Sequence, residues 1–217
     1  MTEEEAQAWL YATFDVSRET QERLGAFVAL LRAEAQLQNL ISAATFDQIW
    51  ARHIVDSAQL LLFAPGAGDW LDLGSGAGFP GLLVPMLSAH RVVLVESRSK
   101  RIDFLQRAIQ MLGMEDVAVV AGMPLERLET APYSVISARA FAPLSRLLEL
   151  SHRFSTDNTM WLLPKGRNAA KELQEVRGGW NLDFTIEASI TDSEAGILTG
   201  RMLGPKTLDL AGRTMKP

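Results

Sequence analysis

The hydrophobic rhythm of the chain changes once, near Pro65-Gly66-Ala67-Gly68. Before that point apolar residues recur three and four positions apart, at Leu24, Phe27, Val28 and Leu31, then at Leu37, Leu40 and Ile41. That spacing collects them on one face of a helix. A further helix is expected over 45–63, with Ile49, Trp50, Ile54, Leu60 and Leu61 available for burial. Beyond Gly68 short apolar runs take over, at 70–73, 92–95, 117–120, 135–136, 161–163, 184–186 and 197–203. Helical patterns separate them at 81–88, 99–112, 143–154 and 168–176. Strands that alternate with helices predict parallel βαβ units in a doubly wound α/β sheet. Only residues 188–196 join the last two runs, which suits a hairpin better than a crossover. The expected organisation is an N-terminal helical extension over 1–66 packed on a core domain over 67–217.

Composition narrows the chemistry. A chain of 217 residues fits one domain with a modest extension. It contains no cysteine, which excludes disulfide scaffolds, thiol catalysis and zinc–cysteine sites. The start, MTEEEAQAWL, is acidic where a secretory signal would be basic. No window approaches the roughly 18 uninterrupted apolar residues of a membrane span. A cytoplasmic protein with no metal site and no membrane association is expected. The formal net charge of -5 argues against a general nucleic-acid coat protein but permits a local basic face.

The most informative segment reads Asp72-Leu73-Gly74-Ser75-Gly76-Ala77-Gly78-Phe79-Pro80-Gly81, between an apolar strand and a helix. Glycines there permit a tight turn and let a ligand approach the backbone. Ligands of a doubly wound sheet bind outside the carboxyl ends of its strands. The frame Gly76-x-Gly78-x-x-Gly81 also fits a dinucleotide, so two cofactors compete. Asp72 would repel a pyrophosphate but suits the ammonium of a methionine moiety. Pro80 removes a backbone N–H from the turn, and no substrate domain follows. These features favour S-adenosylmethionine, and the missing Gly-Lys-Ser/Thr ending sets a nucleoside-triphosphate loop aside.

Other candidates fall at strand ends. Glu96, about 20 residues beyond the glycines, is placed to accept the ribose hydroxyls of either cofactor. Ser97 is a candidate cap for the next helix, and Arg98, Lys100 and Arg101 read as solvated helix charges. Leu125 could pack on an adenine ring, with backbone groups of Leu125 and Glu126 at its edge. Arg139, after the fourth run, could meet RNA phosphate, the base or a cofactor carboxylate. Lys165 and Arg167 flank Gly166 and would give a basic rim. Arg139 and Lys165 are the candidates for positioning an acceptor, and Phe141 could stack on a base. His53, Asp56 and Ser57 share one helical face, unlike a hydrolase triad, whose members meet end to end. A structural role against the glycine loop or a neighbouring backbone is expected for Asp56 or Ser57. Contact with RNA or cofactor is the expectation kept for Arg52 and His53.

Several segments carry a more specific resemblance. They are Asn39-Leu40-Ile41-Ser42, Trp50-Ala51-Arg52-His53-Ile54-Val55-Asp56-Ser57, Glu96-Ser97-Arg98-Ser99-Lys100-Arg101, Ser137-Ala138-Arg139-Ala140-Phe141-Ala142-Pro143-Leu144 and Leu163-Pro164-Lys165-Gly166. In this order the chain resembles the bacterial 16S ribosomal RNA guanine-N7 methyltransferases, the glucose-inhibited division protein B family. The resemblance implies a Rossmann-like class I methyltransferase fold, with a mostly parallel seven-stranded sheet and a C-terminal hairpin. It implies S-adenosylmethionine as cofactor, with contacts at Gly74, Phe79, Leu125, Glu126 and Arg139. Asp72, Gly76 and Glu96 join that set from the loop reading. The implied acceptor is a guanine of 16S rRNA, met as RNA or as the 30S particle, by a monomeric enzyme. Three alternatives stay open: a methyltransferase for small molecules or proteins, a nicotinamide-dependent oxidoreductase, and a non-catalytic RNA-binding factor.

Overall fold

The computed structural model describes residues 1–206, so the end of the expected core domain, 207–217, lies outside the described residues. Two helices open the chain, α1 (Glu3–Thr13) and α2 (Arg18–Glu34). Thr2 and Glu5 form a reciprocal capping box on α1, and Ser17 caps α2 by accepting the Thr20 N–H. Leu24, Phe27, Val28 and Leu31 are buried on one face of α2, as their spacing predicts.

The single helix expected over 45–63 is instead a broken series. A 3-10 segment (Ala43–Gln48) leads to a π-helical turn (Trp50–Val55), a short α3 (Asp56–Ala58) and a second 3-10 segment (Gln59–Leu62). A tertiary contact accompanies the break: the Glu3 carboxylate of α1 accepts the backbone N–H groups of Trp50 and Ala51, at 3.1 and 2.9 Å. Hydrophobic spacing cannot report such a long-range cap. Wide π turns recur at functional sites, and this one carries Arg52 and His53.

The remainder is a seven-stranded sheet in the order β3-β2-β1-β4-β5-β7-β6. The strands are β1 (Ala67–Leu73), β2 (Ala89–Glu96), β3 (Ala118–Gly122), β4 (Val135–Ala138), β5 (Met160–Gly166), β6 (Trp180–Ala188) and β7 (Gly196–Pro205). The first five are parallel, and β7 runs antiparallel to both β5 and β6. This is the parallel sheet with a terminal hairpin expected from the sequence. The connecting helices are α4 (Val84–Leu87), α5 (Ser99–Met111), α6 (Leu144–Ser151) and α7 (Ala169–Val176). The helix expected over 81–88 shrinks to α4, because residues 76–83 are spent on turns. That expected over 143–154 ends at Ser151, followed by one 3-10 turn. Arg98, not Ser97, occupies the N-cap position of α5, without a side-chain bond.

Side-chain alternation along the strands splits the core into two layers. Trp70, Val92, Leu94 and Leu162 face a layer filled by α5 and by Phe27, Leu31, Ile54 and Leu60 of the N-terminal segment. Leu71, Leu73, Val95, Trp161 and Leu163 face the layer under α6 and α7. The N-terminal segment thereby supplies one wall of the sheet's own core. Among the described residues no helix is long and apolar enough to cross a membrane.

The hairpin depends on Gly200, at φ +147°, between Trp161 on β5 and Phe184 on β6. A Cβ there would run into the backbone carbonyl of Asp183. Gly200→Ala is expected to lower stability by about 3 kcal/mol or more, read as a lower urea midpoint.

Candidate functional site

The carboxyl ends of β1, β2 and β4 converge on the glycine loop. Its foundation is a buried polar chain across two strands. Trp70 Nε1 donates to Ser137 Oγ at 2.7 Å, and that hydroxyl donates to Asp72 Oδ1 at 2.7 Å. Asp72 and Ser137 are partners in the parallel β1–β4 register. The other carboxylate oxygen accepts the Gly81 N–H at 3.2 Å and so ties the end of the loop to its start. Asp72 is 1% exposed, and burial raises its carboxyl pKa to about 6 against the opposing hydrogen bonds. The direct ammonium contact expected for Asp72 is therefore not what the structure builds. The side chain lies beneath the loop and acts through it.

The loop folds back on the end of β2. Gly74 and Ser75 donate their N–H groups to Val95 O, at 2.9 and 3.1 Å. Gly76 N–H donates to Glu96 Oε2 at 3.1 Å, while Glu96 Oε1 accepts from the N–H groups of Ser97 and Arg98. Glu96 is thus engaged in holding its own turn, although it still lines a cavity. Arg101 lies 3.7 Å from the same carboxylate and also lines the site, which corrects its reading as a solvated charge.

Three cavities meet at Ala140. One of about 210 Å³ is lined by Gly74, Glu96, Ser97, Met123, Leu125 and Phe141. A second, about 360 Å³, is lined by Ser42, Thr45, His53, Gly74–Ala77, Phe79 and Arg139. The third and largest, about 640 Å³, is lined by Arg52, Arg139, Phe141, Pro164, Lys165 and Lys171, with Asp192 at one side. Ala140 lines all three and sits at φ +52°, a conformation that non-glycine residues rarely adopt. Nothing in the sequence marks that alanine as special. Phe141 packs against Gly74, where a Cβ would come within 2.6 Å of its ring. Its ring lines both the 210 and 640 Å³ cavities. Glu126 is exposed and pairs with Arg146 at 3.6 Å, beside the buried Leu125.

Arg139 is the most constrained cation of the site. Its Nη2 donates to Arg52 O at 3.1 Å and to His53 Nδ1 at 2.8 Å, and its Nε lies 3.7 Å from Asp56. Its Nη1 is buried and has no hydrogen-bond partner. Burial draws the guanidinium below its ordinary pKa, and Asp56 opposes that shift. His53 is itself buried, with Nε2 2.8 Å from Thr45 Oγ1 and its ring stacked on Phe79 at 5.3 Å. Burial and the neighbouring Arg139 and Arg52 push its pKa down to about 3. Both ring nitrogens are occupied, so the RNA contact expected for His53 gives way to an internal role. Asp56 does not bond the glycine loop, and besides its ion pair with Arg139 it has a structural role. It accepts from Thr191 Oγ1 at 2.7 Å and from Gln59, holding the β6–β7 connection.

The basic rim is ion-paired. Lys165 Nζ lies 3.0 Å from Glu172 and donates to Ala142 O at 3.0 Å, with only 8% of its side chain exposed. Arg167 pairs with Glu194, and Arg52 with Asp192 at 3.5 Å. Lys165 is therefore a wall of the large cavity, where an exposed phosphate hook was expected. Lys171, which sequence reasoning passed over, is exposed at the same cavity and has no acidic partner within 4 Å among the described residues. Its signal was faint, a single lysine on the polar face of α7. No group of three or more candidate metal ligands occurs among the described residues.

The Asp72 arrangement has a sign that can be measured. A pKa raised from 3.8 to about 6 means the folded chain holds the proton more tightly than the unfolded one. The associated stability is full below about pH 3.8 and is lost as pH rises through about 6. His53, with its lowered pKa, contributes the opposite slope, so wild type must be compared with Asp72→Asn. Relative to the variant, wild type is expected to lose about 3 kcal/mol between roughly pH 4 and pH 7, checked by urea denaturation.

The comparisons agree with this geometry. A sequence model of the family described as GidB, rRNA small subunit methyltransferase G, matches residues 20–198. The chain is 52% identical over 216 residues to the ribosomal RNA small subunit methyltransferase G of Rhizorhabdus wittichii, covering 98% of this chain and 99% of that protein. It is 47% identical to the protein of the same name from Zymomonas mobilis, covering 95% and 96%. Solved structures share the fold at low identity. The B. subtilis tRNA methyltransferase TrmK aligns with TM-score 0.51 and 16% identity, over 69% of this chain and 65% of that one. P. horikoshii TYW2 bound to MeSAdo aligns with TM-score 0.55 and 11% identity, over 70% and 62%. With a matching family model over most of its length and relatives near half identical end to end, the chain belongs to the ribosomal RNA small subunit methyltransferase G family and is an S-adenosylmethionine-dependent methyltransferase.

Proposed function

We propose that the chain methylates N7 of one guanine in 16S rRNA, presented as RNA or within the 30S particle, with the methyl donor in the two smaller cavities and the base in the largest. The observation that carries this reading is the junction at Ala140, where all three cavities share one wall. S-adenosylmethionine fits the residues present. The unpartnered, buried Nη1 of Arg139 suits a carboxylate, and the cavity beside Glu96 and Leu125 suits an adenosine. Gly74, Gly76 and Phe79 line the methionine side, with Asp72 acting from below and Glu126 at the adenine edge through its backbone.

Bound there, the cofactor supplies an electrophilic methyl group on sulfur. Guanine N7 is an in-plane lone pair on the major-groove edge and carries no proton near neutral pH. No general base is needed, so the task of the chain is to orient the base and exclude water. The base must leave any stack to enter the cavity, where Phe141 and Pro164 offer apolar surface. Product guanine is cationic, and a bare lysine beside it would oppose the reaction. Lys165 is paired with Glu172 and adds a hydrogen-bond donor to the wall with little net charge. Arg52, Lys171 and Arg167 stand at or near the mouth, where RNA phosphates would meet Lys171 directly and would exchange with the acidic partners of Arg52 and Arg167. We read residues 1–66 as an extension built onto the sheet, and the protein as a cytoplasmic monomer without metal.

Labelled S-adenosylmethionine incubated with 30S particles, and separately with 16S rRNA, should place the label on N7 of a single guanine. Label on a protein, or on a base nitrogen other than N7, would refute the assignment. Gly74→Ala should weaken cofactor binding at least about tenfold, because the new Cβ displaces Phe141 at a backbone φ of +70°. Calorimetry reads that loss directly.

A further inference from the structure

The geometry points to His53 as a positioning residue whose imidazole fixes the Arg139 guanidinium at the cavity junction, holding its free Nη1 edge for the anionic end of the cofactor. This rests on the cofactor reading given above and adds to it the part that sets the affinity.

A guanidinium only donates hydrogen bonds. The nitrogen 2.8 Å from Arg139 Nη2, His53 Nδ1, is therefore a bare acceptor. The ring proton sits on Nε2 and is donated to Thr45 Oγ1 at 2.8 Å, whose own hydroxyl can donate to Ser42 O at 3.1 Å. This relay fixes both the tautomer and the ring plane, as second-layer partners do for other functional histidines. Phe79 stacks on the ring with planes 24° apart, and Phe27 packs behind Phe79 at 5.3 Å.

The π turn makes this grip possible. Arg52 O, His53 Nδ1 and Asp56 Oδ2 all lie within reach of one guanidinium, at 3.1, 2.8 and 3.7 Å. The Asp56 N–H donates to His53 O and Ile54 O, not to Arg52 O, its α-helical acceptor. Nη2 is thereby saturated and Nε faces a carboxylate, which leaves Nη1 as the edge without a partner. Without the Nδ1 acceptor, Nη2 would keep only the Arg52 carbonyl, and the guanidinium could turn toward Asp56. The relay also joins the Ser42–Thr45 wall of the methionine-side cavity to Arg139.

Two substitutions separate the ring nitrogens, since Asn places an oxygen near Nδ1 whereas Gln reaches the position of Nε2. By calorimetry on the full chain, His53→Asn should bind S-adenosylmethionine within about threefold of wild type, and His53→Gln and His53→Ala about tenfold or more weakly. With 30S particles, KM for the cofactor should rise while kcat at saturation changes little. In an Arg139→Ala background, His53→Ala should add no further loss. Equal damage from Asn and Gln, additive losses in the double variant, or a raised KM for 30S with cofactor affinity unchanged would each overturn the proposal. Should every substitution unfold the chain, nitrogen NMR of the wild-type ring decides. A neutral Nε2–H tautomer at neutral pH is expected, and a proton on Nδ1 would overturn it. Failure of wild type to bind S-adenosylmethionine would sink the cofactor reading itself, which is a different result from any of these.

Discussion

The rest of the site depends on one buried carboxylate. Asp72 sits within the sheet, where an ionised group is expensive unless its lone pairs are filled. Ser137 fills one from the adjacent strand and the Gly81 N–H fills another from the far end of the loop. Satisfying Asp72 therefore brings β1, β4 and the loop into one register. The residues that follow Ser137 by two and three positions are Arg139 and Ala140, so the same bonds decide where the guanidinium and the shared cavity wall emerge. A Cβ on Gly81 would lie 2.7 Å from the Asp72 carboxylate, which explains the glycine at the loop's end better than any ligand does.

A second constraint comes from outside the Rossmann-like core. The N-terminal segment fills much of one layer of the core, and its π turn, with the Asp56 that follows it, supplies three of the groups that hold Arg139. It also clasps the connection between β6 and β7 through Gln59, Asp56 and Arg52. The wall of the large cavity thus joins the N-terminal segment to the stretch after β4, to the end of β5 and to the β6–β7 connection. Two of the cavities beside the glycine loop are complete only when this segment is docked, since Ser42, Thr45 and His53 line one and Arg52 and Asp56 the other.

Electrostatics follow the same division. An acidic chain that acts on RNA keeps Lys165 buried against Glu172 and meets the mouth of the cavity with paired arginines. Such pairs lower the field at rest and can be exchanged for phosphate contacts, at a cost set by how exposed each pair is. Arg167 and Glu194 are largely exposed and Lys165 is not. Exchange is open to the first pair and closed to the second, so Arg167 stays available at the surface while Lys165 is part of the cavity wall.

The sequence by itself determined the strand–helix alternation, the terminal hairpin and the glycine loop, because these depend on local periodicity and on residues that tolerate unusual backbone. It also placed Gly74, Gly76, Phe79, Glu96, Leu125 and Arg139 near one strand edge, since the ends of parallel strands share a side. Only the tertiary structure decided what each group touches. The helix over 45–63 broke where Glu3, some 47 residues earlier, accepts its N–H groups. Asp72 was read as a ligand contact and is held by Ser137 and Gly81 instead, while Glu96 accepts from Gly76 and Arg98 and still lines the cavity. His53 exchanged a surface role for a buried one, and Lys165 acquired Glu172. Burial and partners are properties of contacts between distant segments, and a pattern of apolar spacing carries no information about which polar groups those contacts will pair.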